Sequence, residues 1–128
     1  MQGKLYRDLR VRIDTGLHTG KLSVVAATDL FSSVVDFLPG SCLDPKAAAA
    51  DAKRASCDTA AKAINRYAKW PTQAITYRLG RDMIFALRAR AQKDLGDKFS
   101  AKKFHVAYMQ QGTISPAYFG DELITTLK

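Results

Sequence analysis

Residues 67–80 read YAKWPTQAITYRLG, Tyr67 to Gly80. Trp70-Pro71 decides how this stretch folds. A proline disfavours the α region for the residue before it, so one helix must end near Trp70 and the next must start behind Pro71. Around that break the sequence crowds two tyrosines, a tryptophan, a glutamine, an arginine and a glycine. Such a density of hydrogen-bonding aromatic groups at a helix entrance is more than a core requires.

Downstream, Ile75, Leu79, Met83, Leu87 and Ala91 recur at four-residue spacing, with Tyr77, Gly80 and Ile84 beside them. This pattern predicts one long helix over about 72–95. Gly96 stands where a helix C′ glycine belongs. Ser100 caps a helix anchored by Phe104, Val106, Ala107 and Tyr108 and closed by Gly112; Ser115-Pro116 opens a last one. Upstream, Ser56 or Asp58 caps a helix over about 58–69. Asp44-Pro45 reads as an earlier helix start, followed by an alanine run with almost no large apolar side chain. Ser23 caps a helix over about 24–37 that turns Val24, Ala27, Leu30, Phe31, Val34, Val35 and Leu38 inward, and Pro39-Gly40 stops it. Leu5, Leu9 and Ile13 stripe a first helix over 4–13, which Asp14 to Gly20 interrupts with two glycines. That helix starts almost at Met1 without a cap, as if its beginning had been cut away. The expectation is an all-α, irregular helical domain spanning 1–128, with about five or six helices centred on the 72–95 helix. Residues 39–57 form an exposed, insertion-like connection in it.

Composition narrows the function classes. The chain has 128 residues, 47% of them hydrophobic and 25% charged, as in an ordinary globular domain. No apolar run approaches the roughly 20 residues of a membrane span. The start, MQGKLYRDLRVRID, lacks the apolar stretch of a secretory signal, so the sequence leaves the compartment open. Net charge is +8, concentrated in residues 62–103, which hold eleven Lys/Arg against three Asp/Glu. A basic half attracts nucleic acid or acidic substrates, and equally serves as a solvated helix face. Cys42 and Cys57 are too few for a structural zinc site, which takes about four ligands. One isolated pair is weak evidence for a disulfide, and the sequence favours two free thiols without closing the question.

Three motifs carry a resemblance that covers most of the chain: RVRIDTGLH at 10–18, RYAKWPTQAITYRLG at 66–80 and ALRARAQKDLGDKFSAKKFH at 86–105. In this order they resemble the C-terminal part of the bacterial domain-of-unknown-function family eight-eight-five, which is similar to gluzincin zinc metallopeptidases. The chain departs from the family pattern in its longer, alanine-rich connection at about 36–60. It also has Thr72 where the family often has glycine, and Arg78 where it often has lysine. The family's zinc-binding motif, a His-Glu-x-x-Pro-Gly-His helix with a downstream glutamate, is missing from this sequence. His18 and His105 are far apart and have no glutamate at ligand spacing.

The resemblance therefore implies the fold of a gluzincin-type C-terminal helical part and the substrate-cleft portion of a metallopeptidase-like protein. Such a portion is not catalytic by itself. This chain would hold no cofactor, zinc being expected in the full-length family. Its partner would be the missing N-terminal metal-binding portion or another chain, with a peptide as substrate once assembled. In such a cleft His18 and Tyr77 would donate hydrogen bonds to an oxyanion or to substrate, a kind of contact worth about 3 to 4 kcal/mol of barrier. Asp14, Tyr67, Gln73, Arg78 and Arg81 would line it, the arginines receiving a peptide carboxylate as a fork. Each has a plainer reading: Tyr77 as a core tyrosine, His18 as the lock of a glycine turn, Asp14 as the cap of that turn or a partner of Arg10 or Arg12, and Trp70-Pro71 as a packing corner. His105 reads as structural. The alternative function is a small basic helical module that binds nucleic acid or another protein; no helix-turn-helix or RNA-binding motif supports the former.

Overall fold

The computed structural model describes residues 2–44 and 51–128, and among them it contains helices and turns but no strand. Six α-helices follow one another: α1 (Gln2–His18), α2 (Val24–Val35), α3 (Asp51–Lys69), α4 (Thr76–Leu95), α5 (Ala101–Gln110) and α6 (Pro116–Thr126). Short 3₁₀ turns at Gln73–Ile75 and Gly96–Lys98 bracket α4. No described helix is long and apolar enough to cross a membrane. The chain divides into two compact units, Met1–Arg78 and Leu79–Lys128.

In the first unit, α1 continues through the segment expected to interrupt it. Thr15 Oγ1 donates back to Val11 O at 2.7 Å, and Gly16 sits inside the helix. Its missing side chain is what Leu22 needs, since a Cβ on Gly16 would lie 2.9 Å from Leu22 Cβ. The helix ends at His18, and Gly20, with a φ of +70°, closes the turn after it. Leu9 and Ile13 are buried as the stripe predicts, whereas Leu5 is exposed. On α2 the Ser23 cap forms, its Oγ accepting from Ala26 N–H at 3.1 Å. Ala27 and Phe31 are buried there, while Val24 and Val35 are exposed. The core is completed by Ala60, Ile64 and Tyr67 from one face of α3 and by Ala74.

The start of α3 also corrects the sequence reading. Among the described residues the helix already runs from Asp51, well before the caps expected at Ser56 or Asp58. The turn of α3 that carries Ser56 and Cys57 is held to α2 and to the segment after it. Ser32 Oγ donates to Ser56 Oγ at 2.7 Å, and Ser56 Oγ in turn donates to the Asp36 carboxylate. Cys57 forms a disulfide with Cys42, contrary to the free thiols that the sequence favoured. The Cys42 side of the bridge is set by Asp29, whose carboxylate accepts from Gly40 N–H at 3.1 Å and Cys42 N–H at 3.0 Å. Pro45 of the Asp44-Pro45 start signal and Ala47 to Ala50 of the alanine run lie outside the described residues.

The second unit packs Leu87, Ala91 and Leu95 of α4 with Phe104 of α5 and Phe119, Leu123 and Ile124 of α6. Ser100 and Ser115 cap α5 and α6 as expected. Gly120 lets α4 approach, since a Cβ there would meet Leu87 Cδ1 at 3.0 Å. His105 is exposed with its ring edge against Phe104.

Candidate functional site

Asp14 and His18 are one helical turn apart, so both project from the same side of the last turns of α1. Each reaches across to a different side of the Trp70-Pro71 corner. Asp14 is buried, and its Oδ1 accepts from Thr72 N–H at 3.1 Å. His18 is exposed, and its Nε2 lies 3.1 Å from Tyr67 O. A carbonyl only accepts, so Nε2 carries the proton and Nδ1 is the ring atom left for another group. The end of α1 thus holds the chain on both sides of the break.

This hold fixes an unfavourable backbone. Thr72 has a φ of +70°, a left-handed conformation that a β-branched residue rarely adopts. The charged acceptor at Asp14 offsets that strain by anchoring the Thr72 amide. Thr72→Gly is accordingly expected to stabilise the first unit by about 1 kcal/mol, the left-handed penalty removed less the entropy a glycine adds to the unfolded chain. Urea unfolding read by tryptophan fluorescence checks it; an unchanged or lowered midpoint contradicts it.

The ring of Tyr67 is fully buried beneath this corner, and its hydroxyl meets that of Tyr6 at 3.3 Å. Burial, and then the Tyr67 hydroxyl and its charge, raise the Tyr6 pKa above its ordinary value, so Tyr6 is a neutral phenol at neutral pH. The guanidinium of Arg10, one turn before Asp14, stands 5.4 Å from the Tyr67 ring centre and 5.5 Å from that of Tyr77. At that range it is attracted to both ring faces. Tyr77 itself is 62% exposed, which excludes the core-tyrosine reading.

Three buried side-chain atoms lack a hydrogen-bond partner among the described residues: Arg10 Nε, Asp14 Oδ2 and Gln73 Oε1. All three belong to the first two motif stretches, on segments that the Asp14–Thr72 bond draws together. Unpaired buried polar atoms are costly, so their concentration in one place marks it as more than packing.

Asp14, His18, Tyr67, Gln73 and Tyr77 therefore gather around one joint. Arg78 is beside it but already holds a carboxylate, its Nε 2.7 Å from Asp8 Oδ1. Arg81 lies in the second unit, 3.4 Å from Asp82 and over the ring of Phe85. A Cβ at Gly80 would meet nothing within 4 Å, so no neighbour there needs the glycine. Trp70 is 60% exposed, which corrects its reading as a packing corner. Sequence reasoning passed over Arg10 and Tyr6 as members of the joint. The signal for Arg10 was its four-residue spacing from Asp14.

Among the described residues no three His, Cys, Asp or Glu side chains gather in a way that would hold a metal ion. The family described as "Bacterial protein of unknown function (DUF885)" matches residues 1–123. The chain belongs to this family. No curated protein and no solved structure matches it. In this DUF885 chain, the matched residues include every side chain of the joint.

Proposed function

We propose that the joint is one wall of a peptide cleft in a metallopeptidase-like member of the DUF885 family. The observation that carries this reading is the group of unpartnered buried atoms on Arg10, Asp14 and Gln73, set beside an exposed Tyr77 and an exposed His18. Tyr77 and His18 offer hydrogen-bonding tips at the surface, while the Arg10 donor and the Asp14 and Gln73 acceptors are buried and meet a peptide only if the joint opens. A peptide backbone presents the complementary alternation of N–H and C=O groups. Tyr77 O–H is free to donate to a substrate oxygen. His18 does not donate there: Nε2–H is committed to Tyr67 O, which leaves Nδ1 of the neutral ring as an acceptor for a substrate N–H. Arg78 is a flanking group in this reading, because it already holds the Asp8 carboxylate, and Arg81, in the second unit, is left out of it.

The residues described here do not supply a zinc site, so no step of a reaction is assigned to a metal on them. The metal of a gluzincin-like relative would be carried by another stretch or another chain, and 1–128 would contribute binding and orientation as one helical domain.

Titration of the ¹⁵N-labelled chain with a pool of N-acetylated, C-amidated tetrapeptides tests this. Shifts are expected at Arg10–His18 and Gln73–Tyr77. Tyr77→Phe should weaken binding about tenfold, the cost of one hydrogen bond to substrate. Shifts confined to other surfaces, or none, contradict the reading.

A further inference from the structure

Lys62, Arg66 and Lys69 recur at four- and three-residue spacing, so they share one face of α3. With Asn65 and Trp70 they line an open groove of about 400 Å³ in the first unit. No acidic residue lines it, and none of the three cations makes an ion pair among the described residues. Part of this charge complements the C-terminal end of α3, but a helix end carries only about half a negative charge. Three cations leave the groove strongly positive. Trp70 adds a wide flat face, 60% exposed, at the end of the stripe. An indole left this open beside cations without a carboxylate partner is unusual, since tryptophan is mostly buried.

We infer that this groove binds a small ligand in which an anionic group is joined to a flat ring. The anion meets Lys62, Arg66 and Lys69, and the ring stacks on Trp70. The groove's volume suits a ligand of one or two residues or a single nucleotide. Lys62 to Lys69 spans only about 10 Å of helix, too short a track for a nucleic-acid strand of several nucleotides. This site borders the Asp14–Tyr77 joint at Trp70 and at Arg66, whose guanidinium stands 5.3 Å from the Tyr67 ring centre, but it does not depend on the peptide-cleft reading.

Trp70 is the chain's single tryptophan, so intrinsic fluorescence reports on the groove directly. The probes are N-acetylphenylalanine, its uncharged carboxamide and adenosine 5′-monophosphate, each titrated into the full chain. Saturable change with at least one of the two anions, at a Kd of about 1 mM or tighter, supports the site. The carboxamide should bind at least tenfold more weakly than N-acetylphenylalanine. The stronger of the two anions then tells whether carboxylate or phosphate is the preferred source. Lys69→Gln, an exposed change, should weaken the anion at least threefold, and about 0.5 M salt should do the same by screening. Equal binding of carboxamide and carboxylate, no saturable response to either anion, or an unaltered Lys69→Gln overturns the inference.

Discussion

Removing the Cys42–Cys57 disulfide is expected to lower the stability of the first unit by about 3 kcal/mol. The bridge spans a sequence separation of 15, and closing a loop of that length restricts the unfolded chain by about this amount. On the folded side, Asp29 already holds Gly40 N–H and Cys42 N–H, and the Ser32–Ser56–Asp36 chain holds the facing turn of α3. The bridge therefore ties two segments that polar contacts have independently placed. The loss should appear as a shift of the urea midpoint without local collapse. The double variant Cys42→Ser/Cys57→Ser should behave like the reduced wild type. Trp70 lies in the first unit, so its fluorescence follows that unit's transition even where the second unfolds separately. A thiol count of two in the untreated protein, or an unchanged midpoint on reduction, contradicts the expectation.

Asp14→Ala should cost the first unit about 2 kcal/mol. Asp14 is buried, and its Oδ1 is the acceptor that secures Thr72 N–H in a strained left-handed turn. Hydrogen bonds to a charged group contribute roughly 1.5 to 3 kcal/mol, and truncation leaves the amide without its partner. Asp14→Asn keeps an acceptor at Oδ1 and gives up a buried charge whose Oδ2 has no partner, so it should lose less than half as much. If the Ala variant unfolds within about 0.5 kcal/mol of wild type, Asp14 does not hold the corner.

The helical architecture was legible because it rests on local signals. The Ser23, Ser100 and Ser115 caps and the turn at Gly96 all act within a few residues, and the structure realises each of them. The misreadings came from long-range contacts. Gly16 looked like a breaker because its use, a close approach by Leu22, depends on how the chain returns. The early start of α3 and the disulfide depend on α2 meeting α3, which periodicity does not encode. Leu5, Val24 and Val35 fit the apolar stripes yet are exposed, because the stripes run past the ends of the packed contact.

The same division holds at the candidate site. Asp14 and His18 were recognisable as a pair at helical spacing, and Gln73 and Tyr77 as neighbours behind a corner. That the first pair reaches both sides of the corner is a tertiary fact. Arg10 was read only as a candidate partner of Asp14 for this reason: its role comes from two tyrosines, one of them 57 positions and the other 67 positions further along the sequence. Trp70 was misread because a Trp-Pro corner suggests packing, and only its exposure shows otherwise.

The central claim is that the last turns of α1 hold the Tyr67–Thr72 corner and so assemble the polar joint. Amide hydrogen exchange at Thr72 tests it most directly. Thr72 is itself exposed, so nothing but the Asp14 carboxylate should slow its N–H. With about 2 kcal/mol in that bond, the amide should exchange roughly 30-fold more slowly than an open loop amide. A Thr72 amide exchanging at the rate of a free loop would contradict the account.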